Sequence, residues 1–154
     1  KINVPTILDV RREELIAALP CQPLVIKPNR EELEQTVGRH LKDTREVIEA
    51  AEELRASGAE WVVVTDGPRP VTIVGPEERC TIDVPVADAI VNPIGCGDSL
   101  TAGIAAALDA GLSVIECVKW GIACSVQNLQ MLIPARLERE DMIEIADSLS
   151  VEGL

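Results

Sequence analysis

Two stretches of the chain combine residue types whose spacing could do chemistry. Asn92-Pro-Ile-Gly-Cys-Gly-Asp98 runs into a helical pattern marked by Leu100, Ile104 and Leu108. Gly95 and Gly97 let the backbone turn tightly and aim free N–H groups outward. A helix N-terminus adds partial positive charge, so the loop suits a phosphate or a developing oxyanion. A carboxylate at Asp98 repels such an anion unless it takes a proton from a nucleophile attacking it. The alternative is that Asp98 caps the helix and the glycines only make a turn. No Gly-Lys-Ser/Thr follows, which excludes a Walker loop. Leu100 stands where the third glycine of a dinucleotide fingerprint would fall.

Asn29-x-x-Glu32 is the second stretch. An amide and a carboxylate at this spacing could order the water shell of a Mg²⁺ carrying ATP phosphates, or could simply form a capping box. The same spacing recurs at Asp43/Glu46 and Ser113/Glu116, both at expected helix starts. The spacing alone therefore reads as capping; the neighbouring Lys27, able to meet phosphate as a point charge, adds the functional reading. Thr65 and Gly67 could hold a ribose or phosphate by hydroxyl and close backbone approach, or form an ordinary turn. His40, between Arg39 and Lys42, reads as a solvated surface residue. Cys96 has no histidine nearby in sequence to activate it and reads as a small apolar filler.

These residues need elements to position them. Pro5–Val10, Leu24–Lys27, Trp61–Thr65, Val71–Val74 and Cys80–Val84 read as strands. Helices are expected from about Arg11 to Pro20, over Arg30–Val37, through Val47, Ile48, Ala51 and Leu54, over Ile115–Leu129, and through Met142, Ile143, Ala146 and Leu149. Strands alternating with helices predict a single α/β domain over 1–154 with a mostly parallel sheet covered on both faces. Ligands of such sheets bind beyond the carboxyl ends of the strands, where Lys27–Asn29, Thr65–Gly67 and Asn92–Asp98 are all expected.

Composition narrows the classes. The 154 residues carry 14 Lys+Arg against 26 Asp+Glu, a net charge of −12, which argues against nucleic-acid binding and against an anionic membrane surface. The charge-free run Ser99–Leu108 is too short to cross a bilayer. No signal-peptide pattern is present, which suggests a cytoplasmic protein. Five cysteines without a CxxC pair suit reduced, buried thiols better than disulfides or a zinc site. With no Tyr or Phe and two Trp, the core must be aliphatic, and base-stacking platforms are excluded.

Taken together, the segments resemble the C-terminal half of a PfkB-type, ribokinase-like sugar kinase. Asn92-Pro-Ile-Gly-Cys-Gly-Asp98-Ser-Leu-Thr-Ala-Gly103 resembles the family's second signature, whose usual core is Gly-Ala-Gly-Asp. Val25-Ile-Lys-Pro-Asn-Arg-Glu-Glu32 resembles its Lys-Pro-Asn-x-x-Glu segment, and Val64-Thr-Asp-Gly67 its nucleotide-binding turn. The flavour of both longer segments leans toward the branch acting on phosphorylated hexoses, such as 1-phosphofructokinases and tagatose-6-phosphate kinases. The resemblance implies a three-layer αβα sandwich and ATP-dependent phosphoryl transfer to a hydroxyl of a sugar or sugar phosphate. It makes Asp98 the base and the N–H groups of Gly95, Cys96 and Gly97 the anion hole. It implies Mg²⁺ held through water by Asn29 and Glu32, nucleotide contacts at Lys27, Thr65 and Gly67, and Asn128 at the edge of the adenine pocket. A homodimer through an N-terminal lid is also implied; the N-terminal half and that lid are not in this chain.

Three departures stand out: Cys96 where Ala is usual, a charge at Asp66 beside the nucleotide turn, and Pro68-Arg69-Pro70 in place of the second glycine region. The rival readings are the same fold with another acceptor (ribose, a nucleoside or a keto-deoxy sugar acid), a non-catalytic nucleotide-binding relative, and a dinucleotide-binding domain.

Overall fold

Short aliphatic runs closed by turn residues become the strands of one six-stranded sheet, ordered β1-β2-β3-β4-β5-β6. In this computed structural model, which describes residues 4–87 and 89–154, β1 (Ile7–Leu8), β2 (Val25–Ile26) and β3 (Trp61–Asp66) run parallel. Ile7 lies opposite Val25, and Val25 opposite Trp61. β4 (Arg69–Val74) folds back antiparallel to β3, so the sheet is mixed. The tight Asp66-Gly67 turn, with Gly67 at φ +60°, enforces that reversal. β5 (Arg79–Ile82) stops short of the expected Val84, because Asp83 is a poor strand former and Pro85 has no N–H to share. β6 (Val151–Gly153) was not expected at all: its three residues are exposed and carry no alternation to read.

The sheet belongs to the first of two compact units, residues 4–81 with 151–154; residues 82–150 form the second. In the first unit, α1 (Arg12–Ala18) runs into a 3₁₀ turn at Leu19–Cys21, and α2 (Arg30–Val37) and α3 (Thr44–Ala56) follow β2. α3 turns Val47, Ala50, Ala51 and Leu54 inward along one face, where they meet Ile26, Leu33, Leu41, Val62 and Val64. The core is aliphatic, as the composition requires. One aromatic closes its rim: a side chain at Gly75 would run into the Trp61 ring at 2.3 Å.

The second unit is helical: α4 (Cys96–Asp109), α5 (Val114–Leu129) and α6 (Arg139–Ser148). Three sequence caps are realised, because Asn29, Asp43 and Ser113 each accept from the backbone N–H three residues on. No helix among the described residues is long and apolar enough to cross a membrane.

Candidate functional site

In the first unit the candidate residues gather at the carboxyl ends of β2 and β3. Thr65 breaks the regular β3–β4 ladder, whose register shifts between Val64 and Asp66. Its backbone N–H faces the β2 side, donating to Pro28 O at 3.2 Å as Trp61 N does to Leu24 O, and Asn29 and Thr65 form an isolated parallel bridge. A register shift of this kind re-aims side chains at a strand end. Lys27, Asn29, Thr65 and Gly67 thus lie on adjacent strand ends, as the sequence predicts. The Lys27 ammonium, 5% exposed, is ion-paired with Asp9 at 3.1 Å.

Asn29 and Glu32 form a reciprocal capping box. Asn29 Oδ1 accepts from Glu32 N at 2.8 Å, and Glu32 Oε2 accepts from Asn29 N at 2.9 Å. Glu32 Oε1 lies 4.0 Å from an Arg11 guanidinium nitrogen. No group of three or more His, Cys, Asp or Glu among the described residues could hold a metal ion directly. With one oxygen committed to a backbone amide, Glu32 fits a hydrated ion met through water and does not fit an inner-sphere cage.

In the second unit the loop before α4 is built around glycine and two asparagines. Gly95 takes φ +80°, the left-handed region that a side chain disfavours, and acts as N-cap without contributing a side chain. The first i→i−4 bond of α4 is Ser99 N to Gly95 O at 2.8 Å, so the amides of Gly97 and Asp98 precede the ladder. Asp98 is exposed in this first turn. Asn92 Oδ1 accepts from Ile94 N at 3.0 Å, closing an Asx turn. No strand directly precedes Asn92 among the described residues, contrary to the sequence expectation. Val91 N and Asn92 N both donate to Leu129 O instead, so the end of α5 holds the loop where a strand would have.

Asn128 is completely buried. Its Nδ2 donates to Ile94 O at 2.9 Å and lies 3.4 Å from Cys96 Sγ, and its Oδ1 accepts from Ala135 N at 2.9 Å. Ala135 sits at φ +62°, which costs a non-glycine residue roughly 1–2 kcal/mol. Asn128 therefore clips the 94–96 turn to the 131–136 loop. Beside it, Gln127 bonds Glu138 through both amide atoms and reaches Asp141 at 3.0 Å.

α4 itself is pinned by close backbone packing. A Cβ on Gly103 would lie 2.7 Å from Cys124 Sγ and 2.8 Å from Gly121 Cα, and one on Gly121 would lie 2.8 Å from Leu100 O. Sequence reading quoted Gly103 as part of a motif and missed its role; the pairing with Gly121 has no linear signature. It also missed Arg30, whose guanidinium reaches Asp66 at 3.1 Å. His40 is exposed, as expected, and lies 2.9 Å from Glu34, a partner its sequence neighbours do not announce. Burial pushes the Cys80, Cys117 and Cys124 thiols up, away from thiolate chemistry.

The family described as pfkB family carbohydrate kinase matches residues 1–132. A 1-phosphofructokinase of Haemophilus influenzae is 33% identical over 123 residues, 80% of this chain and 39% of the relative. The tetrameric inhibited form of Escherichia coli phosphofructokinase-2 superposes with TM-score 0.81 at 29% identity, over 94% of this chain and 46% of that one. Arabidopsis thaliana ribokinase, solved with ribose and ATP, shares the fold at TM-score 0.77 and 22% identity, over 94% of this chain and 48% of that one. The chain thus spans less than half the length of each of these relatives. The glycine turn with Asp98 at the head of α4, the β2 and β3 strand ends and the match over 1–132 converge: the chain belongs to the pfkB family of carbohydrate kinases and has the ribokinase-like α/β fold.

Proposed function

We propose that this chain supplies the nucleotide side of an ATP-dependent kinase acting on a hydroxyl of a sugar phosphate, of the 1-phosphofructokinase or tagatose-6-phosphate kinase kind. One observation carries the reading: an exposed carboxylate, Asp98, in the first turn of a helix whose Gly97 and Asp98 amides precede the i→i−4 ladder, whose Cys96 amide makes only a long 3.5 Å bond to Pro93 O, and whose N-cap, Gly95, adds no side chain. Such a turn attracts anionic oxygens, and a carboxylate there serves chemistry only by accepting a proton.

In this reading Asp98 takes the proton of the attacking hydroxyl. The N–H groups of Gly95, Cys96 and Gly97 receive charge on the transferring phosphoryl group. A side chain larger than Ala at Cys96 is tolerated because the backbone does the work. Thr65 and Gly67 contact the nucleotide; Lys27 joins them only by exchanging Asp9 for phosphate. Asn29 and Glu32 orient water around Mg²⁺, which supplies charge neutralisation when bound. Asn128 serves the adenine side from within, by fixing the 94–96 and 131–136 loops. The residence would be cytoplasmic, and the full kinase would pair through an N-terminal lid. The identity to 1-phosphofructokinase supports the acceptor class.

The test is ADP release from Mg-ATP with fructose 1-phosphate, tagatose 6-phosphate, fructose 6-phosphate and ribose, comparing the protein with its Asp98→Asn variant. Loss of about 10²–10⁴ in kcat with nucleotide binding kept is the expected result for a base. An unchanged rate in the variant removes Asp98 as the base, and no turnover on any acceptor alongside intact ATP binding makes the chain a half-enzyme or a non-catalytic relative.

A further inference from the structure

Arg30 stands between Asn29 and the helix it opens, yet its guanidinium leaves the helix. Nη1 reaches Asp66 Oδ2 at 3.1 Å, Nη2 donates to Leu41 O, and Nε lies 3.9 Å from Glu34. Asp66 is the residue between Thr65 and Gly67, at the register shift that frees Thr65 from the β3–β4 ladder. One side chain therefore joins the start of α2, the α2–α3 connection and the β3–β4 turn. Arg30 is 20% exposed and Asp66 26%, so the pair is partly shielded from water. Arg69 also meets Asp66 Oδ2, at 2.6 Å, but is 65% exposed and only three residues away, tying the turn to nothing beyond itself.

We propose that the Arg30–Asp66 pair is a strut setting the position of the Thr65-Asp66-Gly67 turn against the Asn29 helix start, which makes Arg30 a positioning residue for the nucleotide. This rests on the reading of Thr65 and Gly67 as nucleotide contacts. The charge at Asp66, which on sequence alone stands against a nucleotide, is answered by two guanidiniums and points to the helix start. The pair also borders a cavity of about 250 Å³ lined further by Thr44, Thr72 and Thr81, so the turn has room to shift once the strut is cut.

Two readouts separate the strut from the kinase reading. In the nucleotide-free protein, Arg30→Met and Asp66→Asn should each speed amide exchange at Asp66 and Gly67, and Arg69→Met should not. With nucleotide, Arg30→Met should raise KM for Mg-ATP, or its Kd, by about tenfold while kcat stays within about twofold. The double variant should be no worse than either single one, as for two ends of one contact. Unchanged exchange, faster exchange with unchanged nucleotide affinity, or an equal effect from Arg69→Met would each overturn the proposal. A parent protein that binds no Mg-ATP sinks the kinase reading and the nucleotide role of Arg30 with it, while the exchange data still tell whether the strut exists.

Discussion

Asn128 and Asp98 divide the labour of the α4 head between a residue that solvent never meets and one exposed to it. Asn128 satisfies Ile94, Cys96 and Ala135 from a completely buried amide. Truncation to Asn128→Ala strips those partners at once. Leaving buried backbone groups unpaired should cost about 2 kcal/mol, read as a lower denaturant midpoint with little change in slope. A shift within a few tenths of a kcal/mol would mean that water replaces the amide. Legibility at this scale was uneven. Asp98, Gly95 and the Asn29/Glu32 box were readable because short-range geometry follows from residue type. That Asn128 bonds two loops was not, because its partners lie 34 and 7 positions away and no local rule links them.

At the scale of elements, Gly103 and Gly121 decide how closely α4 and α5 approach. Glycine inside a helix is ordinarily a weakness, and replacement by alanine gains about 1 kcal/mol. Here the sign should reverse: Gly103→Ala should lose about 1–3 kcal/mol in calorimetric unfolding, because its methyl meets Gly121 backbone. Ala105→Gly, exposed on the same helix, should lose about 1 kcal/mol by propensity alone. A stabilised Gly103→Ala protein would show that the helices can separate. The helices themselves were plain in the sequence, since period, caps and stops agree over eight or more residues, as at α2 from Arg30 to Gly38. The two-residue strands β1 and β2 fall inside the longer runs read as strands, so their existence was legible and their bounds were not; β6 was not legible at all, because pairing partners and not pattern define an element so short.

For the molecule as a whole, charge was the clearest sequence signal and has a pH consequence. Leu41 N–H bonding to Glu34, with His40 and Arg30 beside it, holds that carboxyl below its ordinary 4.5; Arg39 does the same to Glu53. A carboxyl lowered in the folded state contributes stability above its unfolded pKa and loses it as pH falls through the folded one. Melting temperature should therefore decline as pH drops from about 6 toward about 3. Glu34→Gln, which keeps an acceptor for Leu41 but cannot titrate, should start lower and decline less. Equal slopes would remove Glu34 from the acid response. The family was legible because its motifs are contiguous; the division into two units was not, because it rests on packing between distant segments.

The sparse aromatic content has a practical consequence. With no tyrosine, all the emission of the protein under ultraviolet light comes from two indoles: Trp61 against Gly75 in the sheet unit, and Trp120 on α5 in the helical one. Each unit carries its own lamp. Replacing one indole at a time turns a melting curve into a separate record for each unit, so whether they come apart together or in turn becomes a matter of colour and intensity.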